Sequence, residues 1–245
     1  MKRTNIVFIL SILILILFTP IPTSQAQLGD LFKGVKKAIG IDQGLTESKI
    51  IDGLKEALKI GSGNAIGLVS KTDGYFKNPK IKIPLPSSVQ KIEKVIRLSG
   101  YGSLIDSFDL SMNRAAEKAA PQAKSLLWEA IQQMSFDDGK KILNGRDNEA
   151  TLYFKDKTYD RLSDIFKPIV HDSMSKVGVT QKYQDLEAKA RNLPLTNLYD
   201  FDLTQYVTGK ALNGLFLMVE DEERKIRENP TARVTELLKE VFGNR

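Results

Sequence analysis

From Ile50 onward, apolar side chains return every three or four residues, the step that keeps them on one face of an α-helix. Ile50, Ile51, Leu54, Leu58, Ala65, Ile66 and Val69 mark the first such face, with Thr46 placed to cap it. Gly53, Gly61, Gly63 and Gly67 interrupt that pattern. Each costs a helix ~1 kcal/mol against alanine, so they predict close helix packing or a kink. Val89, Ile92, Val95, Ile96 and Leu98 predict the inner side of a second helix, with Ser87 or Ser88 as its cap. The longest pattern spans 103–134, an apolar stripe from Ile105 and Phe108 through four central alanines to Ile131 and Met134. Pro121 lacks a backbone donor and should kink this helix or start a new one. Ser135-Phe136-Asp137-Asp138 has the form of a capping box, and Asn144-Gly145 closes the helix it opens.

Further helices are predicted at 148–157, 159–177 and 180–192. In the second of these Leu162, Ile165, Phe166, Ile169, Val170 and Val177 point inward and Pro168 bends the axis. Asp202 with Gln205 opens a long pattern that is apolar nearly all round from Val207 to Val219, which implies burial on several sides. Its tail, Glu220 to Glu228, reads as charged and solvated, and a last helix runs from Pro230 to Phe242. The main break in the rhythm is Gly74–Pro86. There Asn78-Pro79 and Ile83-Pro84-Leu85-Pro86 force extended backbone, because proline disfavours α geometry at the residue before it. Ile81 and Ile83 could form a short strand, but no partner strand is evident, and an extended segment laid over helices fits better. The fold class is therefore all-α: a multi-helix bundle with one extended Pro-rich segment.

The N-terminus follows a different rule. Met1-Lys2-Arg3 precedes an apolar run from Ile6 to Phe18, then Thr19-Pro20-Ile21-Pro22, then Ser24-Gln25-Ala26 with small residues at the two positions a cleavage site requires. This is the pattern of a secretory signal peptide, and the run is shorter than the ~20 residues a membrane-spanning helix needs. Residues 1–26 are accordingly expected to direct export, with cleavage near Ala26 and a periplasmic or secreted product; retention as an anchor is the alternative. Residues 27–44 form a short basic amphipathic helix or tether. Leu28, Leu31, Phe32, Val35, Ala38 and Ile39 share one face, with Lys33, Lys36 and Lys37 off it. Such a helix can lie on an anionic membrane, so 28–39 is a candidate for peripheral membrane contact. A terminal helix docked on the domain accounts for the same pattern. Residues 45–245 read as a single helical domain.

Composition narrows the chemistry. Of 245 residues 42% are hydrophobic and 27% charged, an ordinary globular mixture that is neither disordered nor fibrous. Without cysteine there is no disulfide, thiol nucleophile or thiolate metal site, and one histidine, His171, excludes any site needing two. The net charge of +6 loses two units with Lys2 and Arg3 if the signal segment is removed. The remaining charges alternate in sign, as in Glu220-Asp221-Glu222-Glu223-Arg224-Lys225, so nucleic acid is not an expected partner. An exported chain without cysteine fits a bacterial periplasm better than a disulfide-forming eukaryotic secretory route. No cofactor is implied.

One polar constellation stands out. Asp109, Asn113 and Glu117 lie at i, i+4 and i+8 beside the apolar stripe of the longest helix. With more oxygens, for which Asp137 and Asp138 are candidates, they could hold a hard cation. The plainer reading, and the preferred one, is a polar network in which Arg114 and Asn113 join Asp109 or Asp202 and fix the register of the helices. Paired carboxylates facing across a cleft could serve acid–base chemistry. Ser107, Ser111 and Ser125 have no nucleophile elbow around them, and His171 reads as structural or solvated.

Three blocks carry a resemblance. They are Ile83-Pro84-Leu85-Pro86; Ser107 to Pro121 with its continuation through Met134-Ser135-Phe136-Asp137-Asp138 to Asn144-Gly145; and Asp202 to Thr208 with Gly214-Leu215-Phe216 and Ile226 to Pro230. Over about residues 45–243 the chain resembles an uncharacterised bacterial family, domain-of-unknown-function family 4197. The resemblance implies an exported, helical, single-unit protein and supplies no catalytic residues. Three classes of function remain. The leading one is a non-enzymatic periplasmic interaction or scaffold protein that presents helical surfaces, or the Tyr75–Pro86 segment, to another envelope protein. A carrier of an apolar ligand such as a lipid would instead need a cavity between the helices. An enzyme using carboxylates is the least supported.

Overall fold

The computed structural model of the chain describes residues 47–176 and 201–228, with isolated positions 181, 184, 185 and 188. The signal segment, the 28–39 helix, the Thr46 cap, most of the helix at 180–192 and the helix from Pro230 lie outside those residues. The described elements are α1 (Glu47–Val69), α2 (Ser87–Ile96), a π turn (Arg97–Tyr101), α3 (Gly102–Ala119), a 3-10 turn (Ala120–Gln122), α4 (Ala123–Gln133), α5 (Phe136–Asn144), α6 (Glu149–Lys176) and α7 (Leu203–Glu228). The fold is all-α, with no strand among the described residues. Gly74–Pro86 runs as turns and then extended backbone, so Ile81 and Ile83 belong to no strand.

The core is the apolar stripe of α3 and α4 met by α6, α7 and α1. Ile105, Phe108, Met112, Ala115, Ala116, Ala119, Ala123, Leu127 and Ile131 are all buried. Pro121 falls in the 3-10 turn that separates α3 from α4, where its missing N–H breaks the helix into two. The alanines let neighbours approach closely, and a Leu or Ile there would overpack the core. α6 is one helix where two were predicted. Its inner seam steps by four: Ala150, Phe154, Thr158, Leu162, Phe166, Val170 and Met174, all buried. Thr158 hides this continuity from an apolar count, because its hydroxyl donates to the Phe154 carbonyl at 2.6 Å and so needs no water. A strict four-residue step advances ~40° per step around a helix of 3.6 residues per turn. The seam therefore winds around α6, which packs on α7, α3, α4 and α5. Ile165, expected to point inward, is off that seam and exposed.

α1 is a continuous helix through all its glycines. The expectation of close packing holds at Gly61, where a Cβ would come within 3.2 Å of Ile226 Cδ1 on α7, but Gly63 and Gly67 face open space. The tail of α7 departs from the sequence reading. Glu222, Glu223 and Ile226 are buried rather than solvated, because this end of α7 packs on α1 at Gly61 and Asn64 and on the start of α6 at Ala150. Glu223 accepts the Ala150 and Thr151 N–H groups at 3.0 and 2.9 Å and the Thr151 hydroxyl at 2.8 Å. It thereby serves as a long-range cap for the first turn of α6, whose N–H groups have no partner inside the helix. Arg227 donates to Glu223 at 2.8 Å and to the Ile142 carbonyl at 2.9 Å, tying α5 to the same point.

α2 also differs from its prediction. Val89, Ile92 and Ile96 are buried, whereas Val95 and Leu98 are exposed. Neither Ser87 nor Ser88 caps it; Pro86 occupies the N-cap position and no side chain bonds there. α2 rests on α3 and the π turn at the edge of the molecule, so it has one face to bury and not two. Gly100, at φ 84°, turns the chain back from α2 into α3, a conformation that favours glycine.

Candidate functional site

The i, i+4, i+8 row on α3 meets the extended segment at three points. Asp109 pairs with Lys82 at 2.7 Å. Asn113, fully buried, accepts the Ile83 N–H at 2.8 Å and donates to the Ile83 carbonyl at 3.1 Å, as a neighbouring strand would. Its amide also donates to the Asp109 carbonyl one turn back at 2.9 Å. Glu117 Oε1 accepts the N–H groups of Tyr75 and Phe76 at 3.1 and 3.2 Å. Its Oε2 takes Arg114 at 2.6 Å, and Arg114 reaches on to Asp73 at the same distance. The Arg114 and Lys77 cations hold the Asp73 carboxyl below its usual range, Lys77 contributing most through its hydrogen bond. Asp73 sits at φ 69°, a left-handed turn that aspartate tolerates better than most residues.

α7 holds the other side of the segment. Tyr75 is buried and donates its hydroxyl to the Ala211 carbonyl at 2.7 Å. Burial first, and the Glu117 charge second, raise its phenol far above the ordinary value, so it stays a neutral donor. Tyr206 donates to the Pro84 carbonyl at 3.0 Å, and Lys80 pairs with Asp221 at 2.6 Å. Gly214 permits the approach, since a Cβ there would lie 2.8 Å from Tyr75 Cε1 and 3.1 Å from Ile81 Cβ.

These contacts answer the reading of the polar cluster. It is a structural network, but Arg114 joins Glu117 and Asp73 rather than Asp109 or Asp202. Asp202 instead accepts the Gln205 N–H at 2.8 Å and opens α7. Asp137 and Asp138 stand apart in the first turn of α5, so the structure does not assemble the proposed oxygen cage. Among the described residues no group of three or more His, Asp or Glu is placed to hold a metal ion. Both oxygens of Glu117 are engaged by the chain's own donors.

Asp138 completes the capping box foreseen in the sequence: its N–H donates to Ser135 Oγ at 3.1 Å, and its carboxylate accepts the Ser135 N–H at 3.0 Å. The Ser135 hydroxyl first, and the Ser135 N–H second, hold the Asp138 carboxyl below its ordinary value of 3.8. Because the folded value is depressed, this stabilisation is present above pH 3.8 and is lost as pH falls through the lower folded value. We expect Asp138→Asn to cost about 1 kcal/mol at neutral pH in urea unfolding, and this cost to shrink in acid below the aspartate range. A cost unchanged between neutral and acid pH would show that the charge contributes nothing.

The described surface recesses of about 400, 360 and 390 Å³ include charged groups: Lys82, Glu93, Arg97 and Asp109 in the first, Lys141, Arg146 and Glu149 in the second, and Lys71 and Glu222 beside Gly63, Gly67 and Leu68 in the third. The Val207–Val219 segment, considered as a cavity wall, is packed: Val207, Ala211, Leu212 and Leu215 are fully buried and Phe216 stacks on Tyr159 with ring centroids 6.3 Å apart. His171 is exposed beside Asp172, and Trp128 is half-buried with the Lys59 and Lys124 ammonium groups 4.6 and 4.5 Å from its ring centre. No helix among the described residues is long and apolar enough to cross a membrane.

The outer face of α2 is the surface that the sequence reading missed. Leu98 is 80% exposed and Val95 43% exposed, with the exposed Lys91 one turn before Val95 and the exposed Lys94 one turn before Leu98. A helical wheel carried the signal. Val89, Ile92 and Ile96 span one arc, while Val95 and Leu98 fall well outside it and share theirs with the two lysines. The proposed membrane-facing residues Leu31, Phe32, Val35, Lys33, Lys36 and Lys37 lie outside the described residues.

A family model described as a protein of unknown function, DUF4197, matches residues 44–243. No curated protein and no solved structure matches the chain.

Proposed function

We propose that this chain, which belongs to the DUF4197 family of proteins of unknown function, is a non-enzymatic interaction protein of the bacterial envelope that docks through the outer face of α2. Export rests on the sequence pattern of residues 1–26. The observation that carries the docking role is Leu98, a large apolar side chain 80% exposed at the corner between α2 and α3, with Val95 beside it. Isolated exposed apolar residues are ordinary, but an apolar pair on an edge helix whose opposite face is already buried marks a contact surface. The support extends to the rest of the molecule. Asp109, Glu117 and Asp138 of the second sequence block are engaged by the chain's own donors, and each described recess has charged groups in its wall, which does not suit an apolar-ligand carrier.

The test is site-specific photo-crosslinking in the cells that produce the protein. A photoreactive side chain in place of Leu98 should give discrete adducts, to lipid or to protein, while one in place of the exposed Asp160 on α6 should not. Adducts at neither position, or equally at both, would remove the basis for a docking face on α2.

A further inference from the structure

We infer that the α2 outer face lies on an anionic phospholipid surface, an assignment that rests on the docking role proposed above. Lys91, Lys94, Val95 and Leu98 fall within about 100° of one another on a helical wheel and form one strip away from the buried Val89, Ile92 and Ile96. No acid lies on the strip. The nearest, Glu93 and Asp106, are both taken by Arg97, at 2.8 and 2.7 Å. Lys91 and Lys94 make no ion pair among the described residues, so their charge is available to a partner. The strip is thus cationic, and the surface that complements it is anionic.

Size and shape choose a bilayer over a protein. A specific protein interface takes about 20–30 residues a side and depletes lysine at its centre. Here two apolar side chains stand among two lysines on a projecting corner, with Leu98 at its tip just before the turn at Gly100. Lysine stems can lie along an apolar boundary while their ammonium groups reach lipid phosphates, and the apolar tips enter the acyl boundary between them. Each lysine near an anionic leaflet is worth about fivefold in binding, and the apolar pair adds to this, so the contact is weak and reversible by itself.

The absence of cysteine makes the test clean. In the full chain, an environment-sensitive fluorophore is attached to Leu98→Cys and, separately, to Ser125→Cys on the exposed side of α4. With vesicles of equal parts phosphatidylglycerol and phosphatidylcholine, the label at 98 should brighten and shift to the blue and the label at 125 should not. Phosphatidylcholine vesicles alone should leave both unchanged. Adding Lys91→Gln with Lys94→Gln, both at exposed positions, should weaken the response at 98 at least about tenfold. A label at 98 that stays unchanged while the chain sediments with anionic vesicles would mean that another segment binds them, and the assignment would fall. An equal response to neutral vesicles, or no effect of the two lysine substitutions, would overturn it as well. If photo-crosslinking at 98 captures a protein in cells while the vesicle response is flat, the docking role stands and the lipid assignment does not; if both are silent, both are lost.

Discussion

Glu223→Ala should lower the unfolding free energy by about 3–5 kcal/mol, the cost of stripping a buried charge network of its acceptor. The side chain is 5% exposed and serves two backbone N–H groups, the Thr151 hydroxyl and Arg227 at once. Removing it orphans the first turn of α6 and leaves Arg227, itself only 14% exposed, without its carboxylate. Glu223→Gln keeps one carbonyl acceptor and should lose about half as much. Urea unfolding followed by circular dichroism measures both. A loss below about 1 kcal/mol for the alanine variant would mean that water reaches the Ala150 and Thr151 N–H groups and replaces the cap.

Glu117→Ala should be comparably damaging, about 2–5 kcal/mol, through a different route. Arg114 is 32% exposed and can turn to water and Asp73, so the lost ion pair is the smaller part. The larger part is the Tyr75 and Phe76 N–H groups, each costing about 1–3 kcal/mol if left unsatisfied. Amide exchange separates the two contributions: Tyr75 and Phe76 should lose protection in Glu117→Ala and keep most of it in Glu117→Gln, whose carbonyl can still accept. Protection retained in the alanine variant would show that α7, through Tyr75 and Lys80, holds the segment without α3.

Both sites show how legibility depended on residue type. The period of α7 continues past Val219 to Glu222, Glu223 and Ile226, so the spacing announced a buried face. The charges point to the opposite reading, because a glutamate is seldom buried unless it has partners, and the backbone groups it caps lie 72 and 73 residues away. On α3 the row of Asp109, Asn113 and Glu117 was visible as a row. That each member holds a point on the extended segment 27 to 42 residues away was not, since nothing local distinguishes an amide that mimics a strand from one that faces water. On α2, five apolar residues at mixed three- and four-residue steps were assigned to one face. Among the described residues α2 has only α3 and the π turn as close neighbours, and Val95 and Leu98 remain exposed.

Local features of this chain follow from near neighbours alone. Helical periodicity, the interruption at Pro121, the capping box at Ser135 and Asp138, and the extended backbone before Pro84 and Pro86 all follow from φ, ψ and hydrogen bonds within a few residues. Cysteine content and a single histidine limited the chemistry in the same direct way. Tertiary structure decided where the polar groups went, because a hydrogen bond across the fold depends on which elements meet, and that meeting is fixed by the shape of the whole apolar core. It turned the candidate carboxylates into clamps and left one edge helix showing an uncovered face.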